Sequence, residues 1–112
     1  MDPNLTKDQR RRLRELGAIA YERELSEHLT ALESEFKRWR AGEIDGFAVS
    51  EAIHRFHQGP ARDLFSKYET SHVDFAVAHA FHRGVLSEDE VGAEVLEAIA
   101  KHLGHLREHD HK

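Results

Sequence analysis

The chain has 112 residues, 33% of them charged, a formal net charge of −5 and no cysteine. That length fits one domain with a core of its own, and the missing cysteine excludes a disulfide framework and any thiolate metal site. The mildly acidic balance argues against general nucleic-acid affinity. No apolar run approaches the ~18 residues of a membrane span.

Met1-Asp2-Pro3-Asn4 opens the chain without the apolar stretch of a signal peptide. A soluble, cytoplasmic protein is therefore expected. The pattern predicts an all-α fold: a small bundle of four helices, five if the third is broken, with a long N-terminal helix. No alternating β-branched run bounded by turns competes with this reading.

The first predicted helix covers 6–40. Ala18, Tyr21, Leu25, Leu29, Leu32, Phe36 and Trp39 recur on one stripe at helical spacing and read as its core face. Leu13, Leu16 and Ala20 lie roughly 140° around the helix, at about 100° per residue. Lys7, Arg10, Arg11 and Arg14 take their place on the stripe. The first turns are thus expected to leave the common core, and Leu13, Leu16 and Ala20 to meet a second chain.

Gly42-Glu43-Ile44-Asp45 follows, with Val49 beyond it: a helix stop, a staple residue and a cap. Gly84-Val85-Leu86-Ser87 with Val91 matches these positions 42 residues later. Gly-x-Ile-Asp is similar to the second half of an EF-hand loop. The ligand positions of that loop would fall on Lys37, Trp39, Ala41 and Ala48, none of which can hold calcium.

The second predicted helix covers 45–58 and buries Val49, Ala52, Ile53 and Phe56. Gly59-Pro60 is read as its end, with Pro60 opening a third helix over 60–83. Glu69-Thr70-Ser71 is a candidate break in that helix. Val73, Val77, Ala80 and Phe81 lie behind its main apolar face, and Val73, Val77 and Phe81 are expected at an interface. Ser87 and Glu90 form a capping box, with Leu86 and Val91 as staple, for a fourth helix over 87–107. That helix buries Val91, Val95, Ala98, Ile99, Leu103 and Leu106, and 108–112 is read as a frayed tail.

Ten histidines are the chemical oddity of the composition. His54/His57, His79/His82 and His102/His105 have the i, i+3 spacing that turns two imidazoles the same way, as metal binding requires. Glu51 precedes His54 by three residues, a Glu-x-x-His step of the kind used in di-iron bundles. His54, His57, His79, His82 and Glu51 therefore form a candidate site for zinc or iron. Arg55 and Arg62 flank the Gly59-Pro60 junction, where the amides opening a helix could receive a small anion or nucleotide. Arg23 and His28 have a spacing similar to the Arg-then-His step of HEPN-type helical ribonucleases. They sit inside the first helix, whereas that resemblance calls for a later helix boundary.

The expectation drawn from these residues is a non-enzymatic protein–protein interaction or regulatory module, a homodimer or the partner of another protein, with no cofactor. The alternatives are the histidine metal site, the anion site and the ribonuclease.

Overall fold

A computed structural model describes residues 2–110, with residue 110 as backbone alone. Helix α1 spans Lys7–Arg40. Thr6 starts it with a capping box: its hydroxyl accepts from the Gln9 N–H at 3.0 Å, and the Gln9 side chain accepts from the Thr6 N–H at 2.9 Å. It ends where Gly42 takes φ +78° and the Glu43 N–H reaches back to the Arg38 carbonyl at 2.9 Å. At 34 residues α1 is about 51 Å long. That is far longer than α4, at 10 residues, against which it packs. One end of α1 must therefore extend past the core.

The end that meets the core is the N-terminal one. Leu13, Leu16 and Ala20 are fully buried with Val73, Ala76, Val77, Ala80, Val95 and Ile99. This corrects the expectation that Leu13, Leu16 and Ala20 face a second chain. Val73 and Val77 are likewise buried, and Phe81 packs partly buried against the same cluster. Of these six residues, only Phe81 keeps part of its surface open. Gly17 sits in the contact, where a Cβ would lie 2.6 Å from Val73 Cγ2. Beyond Leu25, α1 leaves the core and its other stripe turns to α2.

Helix α2 spans Gly46–Phe56 and is capped by Asp45, whose carboxylate accepts from the Ala48 N–H at 2.9 Å. The expected stop at Gly59-Pro60 does not occur. The chain passes through one π-helical turn, His57–Ala61, into α3, Arg62–Tyr68. Proline lacks an N–H, and its ring collides with the carbonyl four residues back in an α-helix. The wider π turn accommodates it without ending the helix. The chain breaks at 69–72, the candidate break read in the sequence, before α4, Val73–His82.

The last predicted helix is three pieces: α5, Glu88–Val91; α6, Ala93–Ala98; and α7, Ala100–Asp110. Ser87 and Glu90 form their capping box, and the staple pair Leu86 and Val91 is buried. Gly92, at φ +81°, interrupts the helix immediately afterwards. Residues 108–110 continue α7, while His111 and Lys112 of the expected tail lie outside the described residues. Among the described residues there is no strand, and no helix is long and apolar enough to cross a membrane.

The shape follows from the overhang of α1. A compact chain of this length has a radius of gyration of about 13 Å. Here it is 17.4 Å, with extents of 55 × 33 × 24 Å.

Candidate functional site

The α1–α2 hairpin holds most of the large apolar side chains left exposed, with Phe65 on α3 and Phe75 on α4 exposed elsewhere. Val49 is the one buried residue of α2. Leu29, Phe36 and Trp39 on α1 and Ile53 on α2 remain substantially exposed, and Phe47 is 87% exposed. The stripe of α1 read in the sequence as core is therefore split: Tyr21 and Leu25 pack partly buried against the core, and from Leu29 onward the stripe is open, covered in part by α2. Towards the core the same stripe forms the wall of a groove of about 740 Å³, where Ala18, Tyr21 and Leu25 face Tyr68 and Val73. Tyr21 and Tyr68 stack there, with ring centroids 5.2 Å apart and planes 12° apart. An apolar track thus runs along α1 from the core to the hairpin tip.

The tip is basic. Lys37, Arg38 and Arg40 occupy the last turn of α1, where cations complement the helix dipole. Arg38 pairs with Glu35 and Glu43, and Lys37 with Glu33. The Arg40 guanidinium lies over the Trp39 ring, 5.0 Å from its centroid. Glu22 and Glu27 make the middle of the same helix acidic.

The structure separates the residues of the candidate metal site. His54 and His57 are exposed on the α2–π segment, whereas His79 and His82 are half-buried on α4. Among the described residues, no group of three or more His, Cys, Asp or Glu side chains is arranged to hold a metal ion. The candidate anion site also loses its basis. Without a helix start after Gly59 there are no free first-turn amides, and Arg62 donates its N–H to the Gly59 carbonyl. Arg55 instead pairs with Glu51 at 3.3 Å, and Arg62 reaches Gln58 at 3.5 Å, each lining a different groove.

Arg23, half of the ribonuclease-like spacing, is a structural residue. Its guanidinium donates to both Glu90 oxygens, at 2.8 and 2.5 Å, and to the Val85 carbonyl at 2.9 Å. It thereby ties α1 to the cap of α5, and His28 lies exposed a turn away.

A second concentration of polar groups was not legible in the sequence, because its members come from three helices. Glu24 of α1 is held by α3: it accepts from the Tyr68 hydroxyl at 2.5 Å and from Lys67 Nζ at 3.3 and 3.4 Å. Burial, then the hydrogen bond and charge of Glu24, push the Tyr68 hydroxyl far above its ordinary range, so it stays a proton donor. His79 of α4 is pushed the other way, by burial and then by the charges of Lys67 and Arg83, with Glu24 opposing and His82 adding to the fall. Its Nδ1 is buried without a hydrogen-bond partner among the described residues.

These environments make stability depend on pH in two windows. The folded state holds His79 neutral below its ordinary value of 6.5, so below that pH the unfolded chain binds the proton more readily. Stability is then expected to fall as the pH drops through this range. Glu90 is held down to about 2 from 4.5, first by Arg23 and then by its bond to Ser87. Its contribution is present above 4.5 and is lost between 4.5 and about 2. Urea midpoints measured against pH should show both declines. His79→Gln should remove the upper one alone and Glu90→Gln the lower one alone. A midpoint flat from pH 7 to 5 would contradict the reading of His79.

Comparison with protein-family descriptions, curated proteins and solved structures finds no match to this chain.

Proposed function

We propose that the protein is a binding module that works by association, and that the open face of the α1–α2 hairpin pairs with the same face of a second copy. The observation that carries this reading is the set of large side chains left in water along the α1 stripe and beside it on α2: Leu29, Phe36, Trp39 and Ile53. A two-helix hairpin has no third element to cover its apolar groups. Contiguous apolar surface on a small protein marks a contact site. Two such hairpins together make the four-helix arrangement that buries all four stripes.

Charge favours an antiparallel arrangement. Glu22 and Arg40 flank the stripe on the same side, about 65° from it at about 100° per residue, and a twofold axis near Leu32 sets Arg40 of one copy beside Glu22 of the other. A parallel arrangement sets Arg40 against Arg40. Opposite charges at such a rim contribute chiefly to orientation and encounter rate.

Sedimentation velocity at micromolar concentration is expected to give a dimer. Phe36→Glu combined with Ile53→Glu buries two charges at the contact and should raise the dimer Kd at least 100-fold while leaving the far-UV helix signal intact. A wild-type monomer at tens of micromolar, or a dimer indifferent to both substitutions, would remove this reading.

A further inference from the structure

The groove between the end of α3 and the first turns of α4 has no part in the hairpin contact, and its chemistry points to a ligand. It is about 340 Å³ in volume and is lined by Ser66, Lys67, Thr70, His72, Phe75 and His79, with Ala76 at its wall. The polar groups on this surface are an ammonium, two hydroxyls and two imidazoles, and no carboxylate lines it. We propose that this groove binds a phosphate oxyanion, either the free ion or a small phosphate monoester.

Three observations converge on an anion. The charges around His79 are unequal: Lys67 and Arg83 act against its protonation, and Glu24 alone opposes them. Glu24 is itself committed on the α1 side to Lys67 and to the Tyr68 hydroxyl. Lys67 and Glu24 pair on the α1 side, and Arg83 adds a further positive charge nearby, so the cations acting on His79 outnumber the carboxylates.

The second observation is His79 Nδ1, a buried ring nitrogen with no partner among the described residues. Buried polar atoms are nearly always paired, so the lone Nδ1 marks His79, a lining residue of this groove, as a side chain whose hydrogen bonding the described residues do not complete. The third is size. The space exceeds that of a phosphate alone and leaves room for a small organic group against Phe75, which is 43% exposed. Lys67 supplies the point charge typical of phosphate sites. Ser66 and Thr70 supply hydroxyl donors. The imidazoles of His72 and His79 on the same lining supply further ring N–H donors.

The test is NMR of the histidine ring resonances at pH 7, with inorganic phosphate titrated against sodium chloride of equal ionic strength. Phosphate is expected to shift the His72 and His79 signals saturably in the millimolar range and to raise the apparent pKa of His79. Chloride should do neither. Thr70→Val with His72→Ala changes two exposed residues and should weaken phosphate binding at least tenfold with the fold intact. Lys67→Met should abolish binding, but it also strips Glu24 of its cation, so the exposed pair is the deciding variant. Phenyl phosphate binding more tightly than inorganic phosphate identifies a monoester as the occupant, and equal affinity identifies the free ion. Shifts that chloride reproduces, or phosphate binding undiminished in Thr70→Val with His72→Ala, would overturn the proposal.

Discussion

Leu16→Ala is expected to lower the free energy of unfolding by about 2–5 kcal/mol and to leave the association of the folded chain unchanged. Leu16 is fully buried with Leu13, Ala20 and Val77, at the place where α1 lies against α4. Truncation removes apolar contact and leaves a cavity, because two rigid helices cannot close over the gap. The cost depends on how far the site relaxes, hence the range. Leu29→Ala provides the contrast. Leu29 is 45% exposed on the hairpin, and in the single chain its truncation should cost under about 1 kcal/mol. Urea denaturation of the two variants separates the faces of α1. Loss of association by Leu16→Ala, with no loss of stability, would return Leu16 to an interface and contradict the packing described above.

The second large effect is at Gly17. Alanine normally stabilises a helix interior relative to glycine by about 0.8–1 kcal/mol. Here its Cβ would sit 2.6 Å from Val73 Cγ2, and Val77 Cγ2 lies 4.0 Å away. Valine is stiff at χ1, so the methyl cannot swing aside and the helices must separate. Overpacking of this kind costs about 1–3 kcal/mol, which exceeds the propensity gain. Gly17→Ala should therefore be destabilising overall. Adding Val73→Ala removes the clash, so the pair should cost less than the two single changes together. A Gly17→Ala protein more stable than the parent would show that α1 and α4 do not approach this closely.

Several parts of the fold were written locally and could be read from the sequence. Ser87 with Glu90, Asp45, and the glycines at 42 and 84 act within a few residues of themselves, and each sits at a helix boundary as expected. The buried face of the last segment, with Val91, Val95, Ile99 and Leu103, was equally legible. The choice of face on α1 was not. Both of its stripes have helical spacing, and periodicity gives the direction of a face without naming what covers it. The longer stripe looked like core because it held more and larger apolar residues. The core in fact formed on the shorter one, where Gly17 permits close approach to α4.

Pro60 misled for a related reason. A proline after glycine reads as a boundary, and only the continuation on both sides reveals a π turn. Gly92 was hidden inside a periodic apolar run. The grouping of Glu24, Lys67, Tyr68 and His79 depends on three helices meeting and leaves no trace in local spacing. The histidine pairs show the reverse case, in which favourable spacing within each helix brings no convergence between helices.

The fluorescence of Trp39 tests the hairpin contact most directly, because it is the chain's one tryptophan and lies 40% exposed on the proposed face. Pairing of two hairpins removes the indole from water. Dilution from tens of micromolar to nanomolar should therefore move the Trp39 emission to longer wavelength, in step with the sedimentation coefficient. The Phe36→Glu, Ile53→Glu protein should show the long-wavelength spectrum at every concentration. An emission spectrum and sedimentation coefficient that stay constant across that range in the wild-type chain would contradict the account.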